Sequence, residues 1–140
     1  MSIPFEFTID GPPVSQQARD CARLREWQEQ VHEAASTMWQ SRSVISGDVA
    51  VAINYFCFDS TPRLKHSLDV DNVPKPILDA LKGLIYEDDK QVIDIICRRR
   101  NRYSAFTIHN PSDPVRRHMG DTDPFLHVSI TFANAGELNI

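Results

Sequence analysis

The stretch Asp69-Val70-Asp71-Asn72-Val73-Pro74-Lys75-Pro76-Ile77-Leu78-Asp79-Ala80-Leu81 decides how this chain is read. Val73, Ile77, Leu81 and Leu84 recur at helical spacing, and Leu78 and Ile85 widen the stripe, so an amphipathic helix is predicted over 73–85. Pro74 suits its first turn, where a missing amide hydrogen costs nothing, and Asp71 or Asn72 is a natural cap. Residues two apart lie on roughly opposite sides of a helix but on one face of an extended segment. Asp69 and Asp71 can therefore share a cation only if Asp69-Val70-Asp71 is extended just ahead of the helix. Lys75 and Asp79 then follow along the polar side of that helix.

Working outward, seven carboxylates (Asp69, Asp71, Asp79, Glu87, Asp88, Asp89 and Asp94) fall between positions 69 and 94, against Lys75, Lys82 and Lys90. The net charge of −4 for the whole chain thus resides in this segment, and the remainder is neutral. Gathered carboxylates repel one another, and a compensating divalent cation is the usual remedy. The pattern predicts a metal site serving a phosphate substrate. Phosphate held there would also lie near a helix N-terminus, where amides and the dipole favour negative charge. Asp89 has to return to that site from beyond the far end of the helix, either by doubling back or across a subunit interface, and the sequence leaves both open.

The flanks predict a strand over Ile3 to Ile9, a helix from about Ala18 to Gln40, a largely buried strand over Val49 to Phe58, a strand from Val92 into Arg98-Arg99-Arg100, and a last strand from Phe125 to Phe132. Tyr86 to Lys90 reads as a polar turn, and 101–124, rich in Pro, Asp, Asn and Arg, as a long irregular insertion. The expected architecture is one small α+β domain over 1–140, a mixed β-sheet of about four strands packed with two main helices. Trp27, Trp39 and Tyr55 are expected in packing, and Cys21, Cys57 and Cys97, which lack C-x-x-C spacing, as buried reduced thiols. No stretch approaches the ~18 apolar residues of a membrane span, so a cytoplasmic protein without membrane association is expected.

Rival motifs can be tested directly. An EF-hand loop starting at Asp69 would need Gly and Glu where Pro74 and Ala80 stand. The five histidines have no H-x-x-x-H spacing, and there is no P-loop. Each acidic piece also has an ordinary role: Asp71 as a cap, Lys75 with Asp79 as an i,i+4 pair, Asp88-Asp89 as a turn. A non-catalytic nucleic-acid binder with a structural cation site, and a metal-dependent D-x-D transferase, remain open alternatives.

Gly11-Pro12-Pro13-Val14-Ser15-Gln16, then Asp69-Val-Asp71-Asn72-x-x-Lys75-x-x-x-Asp79-Ala80-Leu81-x-Gly83, then Asp88-Asp89-Lys-Gln91-Val92 resembles the RusA family of Holliday-junction resolvases. The match is dense over 69–92 and thin over 9–16. The resemblance implies a homodimeric, Mg²⁺-dependent endodeoxyribonuclease, with Mn²⁺ as a substitute, that cuts four-way branched DNA junctions in pairs during recombination and repair. It implies Asp69, Asp71 and Asp89 as metal-binding, catalytic carboxylates and Lys75 as the catalytic lysine. Asn72, Asp79 and Asp88 would be supporting residues. Arg63, Lys65, Arg98, Arg99, Arg100, Arg116 and Arg117 are expected to contact nucleic-acid phosphates. Two features depart from the pattern: the length of 101–124 and the acidic overall charge.

Overall fold

The computed structural model describes residues 4–40, 42–58, 68–121 and 123–140. The elements are β1 (Phe5–Asp10), α1 (Cys21–Trp39), β2 (Val49–Cys57), α2 (Pro74–Leu81), β3 (Val92–Asn101), α3 (Asp113–Met119) and β4 (Phe125–Phe132). The four strands form one mixed sheet in the order β1-β4-β2-β3. β4 runs antiparallel to both β1 and β2, whereas β2 and β3 are parallel. A parallel pair needs a crossover, and α2 lies in that connection. The α+β domain with a four-stranded mixed sheet and two main helices is therefore the fold.

Strand alternation builds the core. Phe5, Phe7 and Ile9 from β1, Val49, Val51 and Ile53 from β2, and Leu126, Val128 and Ile130 from β4 are all buried. They meet Trp27, Val31, Ala35 and Trp39 of α1 and Val73, Ile77 and Leu81 of the α2 region. Trp39 packs edge-on against Phe5 with centroids 4.9 Å apart, and its Nε1 donates to Arg42 O at 3.0 Å. The α1 stripe ends on Trp39, which is fully buried, while Met38 beside it is half exposed. The Asp20 carboxylate starts α1 by accepting from Ala22 N and Arg23 N, and Gln40 ends it in the left-handed region.

Four expectations are corrected here. The second helix covers Pro74–Leu81 rather than 73–85, because Lys82 turns extended and Gly83 adopts φ +86°. Tyr86 is not in a polar turn: it is fully buried, and its hydroxyl donates to Leu78 O at 2.6 Å. The insertion 101–124 is not wholly irregular, since α3 lies within it, pinned by Arg102, which donates to Met119 O and Asp121 O. Cys21 is exposed at the first position of α1, while Cys57 is buried and Cys97 half-buried. The predicted first strand begins at Phe5, and Ile3 falls outside the described residues.

Candidate nuclease site

The entry to α2 is built differently from the sequence expectation. Asp69 is extended (φ −67°, ψ 140°), but Val70–Asn72 forms a 3₁₀ turn. Asn72 N donates to Asp69 O at 3.0 Å and Val73 N to Val70 O at 3.4 Å. These bonds occupy amides that a capping side chain would otherwise serve, so Val73 caps α2 and neither Asp71 nor Asn72 does. Both carboxylates are left on the surface. Among the described residues neither Asp69 nor Asp71 enters an ion pair. Asn72 O also accepts from Gln16 N at 3.2 Å, which brings the 11–16 segment against the acidic motif.

Asp69 and Asp71 line a shallow pocket whose opposite wall is Cys97, Arg98, Arg99 and Arg100 at the far end of β3. Arg99 Nη1 donates to Leu68 O at 3.0 Å and ties the acidic segment to that strand. Arg98 Nη1 donates to Asn54 Oδ1 at 3.1 Å, and Arg100 Nη1 bonds the carbonyl of Arg99. All three arginines line the pocket that holds Asp69 and Asp71.

Lys75 and Asp79 do form the i,i+4 pair, with Nζ to Oδ1 at 2.7 Å. The bond to Asp79 raises the Lys75 pKa, slight burial opposes it, and the charges of Asp79 and Asp89 add to the rise. Lys75 is therefore a fixed ammonium within the field of Asp89. Asp89 itself sits 3.5 Å from Lys82 Nζ. It begins the 3₁₀ turn Asp89–Gln91, immediately before β3.

That turn is anchored by Gln91. Its Oε1 accepts from Glu87 N at 2.9 Å and Asp88 N at 3.0 Å, and its Nε2 donates to Ile45 O at 2.7 Å and Gly47 O at 2.9 Å. The Asp88 carboxylate accepts from Lys90 N at 3.0 Å and completes a capping box. Asp88 is thus a positioning residue for Asp89, as is Gln91, whose partners from 45–47 no local sequence signal could reveal.

The predicted residues consequently assemble as two groups. Asp69, Asp71 and Arg98 to Arg100 form one, and Lys75, Asp79, Lys82 and Asp89 the other. Asp71 and Lys75 are about one turn apart at the entry to α2, so the groups adjoin there, while Asp89 lies just before β3 and Arg98 to Arg100 at its far end. The donor set is hard carboxylate oxygen, which suits Mg²⁺, yet among the described residues no group of three or more His, Cys, Asp or Glu side chains is placed to hold a metal. Arg116 is paired with Asp113 at 2.6 Å on exposed α3, and Arg117 lines a groove beside α1, so both stand apart from either group. Arg63 and Lys65 lie outside the described residues. No helix among the described residues is long and apolar enough to cross a membrane.

Comparison with curated proteins gives no match. A family model, Endodeoxyribonuclease RusA, matches residues 12–109. That span runs from the segment touching Asn72, through α1, β2, both acidic groups and all of β3, and stops short of α3. With well over half of its length and both halves of the site inside the match, the chain belongs to the RusA family of endodeoxyribonucleases.

Proposed function

We propose that the protein is a Mg²⁺-dependent, homodimeric endonuclease that resolves four-way DNA junctions by paired phosphodiester hydrolysis, acting in recombination and repair. The observation that carries this reading is the exposed Asp69–Asp71 pair at the entry to α2, which shares one pocket with Arg98, Arg99 and Arg100. Carboxylates opposite arginines form a site that takes a cation and a phosphate together. Asp69, Asp71 and Asp89 would hold Mg²⁺, which when bound lowers the pKa of an attacking water and neutralises the leaving oxygen. Lys75 supplies positive charge to the developing pentacoordinate phosphate. Arg98 to Arg100 grip the flanking phosphates, a grip that weakens with salt.

Dimerisation through β3 supports convergence of the carboxylates. Among the described residues β3 is an edge strand, and Ile93, Ile95 and Ile96 are 41, 49 and 49 % exposed along it. Exposed apolar edges invite pairing. An antiparallel twofold pairing centred on Ile96 sets Asp94 opposite Arg98 of the partner subunit. It also lays the Asp89 end of one β3 beside the arginine end of the other, so that each centre takes Asp69 and Asp71 from one subunit and Asp89 from its partner. Two such centres related by the twofold nick opposite strands.

The direct test incubates the protein with labelled four-way junctions and with plain duplex, in Mg²⁺ or EDTA. Junction-selective, EDTA-sensitive paired nicking is expected, with Mn²⁺ substituting for Mg²⁺. Binding without cleavage under every metal condition would refute the catalytic reading. Asp71→Asn should keep junction binding and lose cleavage.

A further inference from the structure

On the sheet face away from α1 and α2, β-strand register gathers a second constellation. Asn54 is paired with Arg98 on β3 and with His127 on β4, so the three residues form one row across neighbouring strands. Together with Glu6 and Arg100 they floor a cleft of about 560 Å³, covered by residues 106–112. The volume lies in the range of small-ligand sites. Arg98 donates to Asn54 Oδ1, a bond in which the Asn54 amide nitrogen takes no part. Glu6 Oε2 lies 3.6 Å from His127 Nε2. Phe56 stacks with Phe106 at 6.0 Å and with Phe125 at 4.8 Å, and Phe56 and Phe106 supply an apolar wall.

This lining combines a flat apolar wall, a carboxylate acceptor, an amide donor and two guanidiniums. A bare anion would have to face Glu6, and a purely apolar ligand would set the Glu6 carboxylate, the Asn54 amide and two guanidiniums against hydrocarbon. A nucleotide carries all the complementary features: planar rings, a mixed donor and acceptor edge, and a phosphate. Arg98 and Arg100 also line the pocket of Asp69 and Asp71. The two depressions therefore share a rim of positive charge along which a DNA strand can run.

We propose that this cleft receives one unpaired nucleotide of the bound strand, with its base against Phe106 and its phosphate on the Arg98–Arg100 rim. The proposal rests on the nuclease reading above and extends it to strand selection at the branch. A base inside a duplex cannot enter the cleft, whereas an extruded one can, and extrusion costs least where pairing is already broken. Glu6 accepts from an exocyclic amino group, so thymine, which has none, fits worst.

The test is an amide-resolved NMR titration of the full chain, without metal, using dGMP, dCMP, dAMP and dTMP, with deoxyribose 5-phosphate and inorganic phosphate as further arms. Saturable shifts at Asn54, Thr107 and His127 are expected with the amino-bearing nucleotides, weaker ones with dTMP, and none at Thr107 with the two base-free anions. Phe106→Ala should weaken nucleotide binding about ten-fold, the scale of one lost stacking contact. Glu6→Gln, which keeps the shape, should narrow the gap between dCMP and dTMP. Equal shifts with inorganic phosphate, or no shift with any nucleotide, would overturn the proposal. The same titration on Asp71→Asn separates the two readings. Nucleotide binding without junction cleavage by the wild type leaves the cleft standing and removes the nuclease, and cleavage without nucleotide binding does the reverse.

Discussion

If each centre draws Asp69 and Asp71 from one subunit and Asp89 from the other, two inactive variants should rescue one another. Asp71→Asn and Asp89→Asn are each expected to lower junction cleavage by roughly 100- to 1,000-fold, the scale of losing one charge-stabilising group. In a heterodimer of the two, one centre collects both substitutions and the other collects neither. Equal mixing with free reassortment gives about half heterodimers, each with one intact centre of two, so about one quarter of wild-type centres return. The product pattern is equally specific, because a single intact centre per dimer yields nicked junctions rather than resolved duplexes. The assay is gel analysis of labelled junctions after co-refolding differently tagged variants and isolating the doubly tagged species. Centres built within one subunit would carry one substitution each in every heterodimer. Doubly tagged dimers with no activity above the parents would therefore refute both the split centre and the β3 pairing that supplies it.

The remaining predictions follow from local geometry. Ile95→Arg places a charge on the exposed β3 edge and should give a monomer by light scattering that no longer cleaves; a cleaving dimer would move the interface elsewhere. Lys75→Ala removes the ammonium held 2.7 Å from Asp79 and should cut turnover about 100-fold, with metal affinity measured calorimetrically unchanged; an unaltered rate removes its role. Gln91→Ala deletes four hydrogen bonds around the Asp89 turn and should cost about 2–4 kcal/mol in urea unfolding, which a loss below half a kcal/mol would contradict. Burial pushes the Cys97 thiol up to about 11, so at pH 7.5 iodoacetamide should alkylate exposed Cys21 well before Cys97, as peptide mass mapping would show. His127 is held below the ordinary imidazole value by burial, against the opposing charge and hydrogen bond of Glu6. The unfolded chain then binds its proton first as pH falls, so this contribution is present above about pH 6.5 and is lost below it; His127→Asn should flatten the fall of melting temperature between pH 7 and 5.

What the sequence disclosed tracks the range of the interactions involved. Strand β4 and the helix ending at Trp39 follow from period-2 and period-3.6 patterns, and β2 and β3 from runs of β-branched and apolar residues, all of which a local window contains. The Lys75–Asp79 pair is likewise a matter of helical spacing. Tyr86 looks like part of a polar turn in one dimension because its neighbours Glu87 to Lys90 dominate the window, while its hydroxyl bonds back to Leu78 and its backbone bridges to Ile45 and Lys82. The 3₁₀ turn at Val70–Asn72 has no signature of its own, because Asp and Asn at a helix entry ordinarily cap with side chains, and here backbone bonds from Asn72 and Val73 take that place. The row of Asn54, Arg98 and His127 is set wholly by register between β2, β3 and β4. Nothing at positions 54 or 127 marks them in one dimension.

β3 explains why the acidic residues can be dense in sequence and yet divided in space. Its ten residues span about 30 Å. The capping box fixes Asp89 just before its start, and the bond from Arg99 to Leu68 fixes Asp69 and Asp71 against its end. Asp89 and the Asp69–Asp71 pair are thus anchored toward different ends of the strand, and the ladder to β2 keeps the strand from folding back. An antiparallel copy of the same strand removes the separation without bending anything, because each end then meets the opposite end of its partner. The exposed isoleucines between the two ends lie where such pairing would bury them. Charge follows the same logic: the excess of −4 over 69–94 is divided mainly between the turn before α2 and the turn before β3, tolerable in a lone chain, and would become concentrated when two chains meet and a cation enters. Metal affinity should therefore rise with protein concentration through the monomer–dimer transition, and a Mg²⁺ affinity independent of concentration across that range would place all three carboxylates within one subunit.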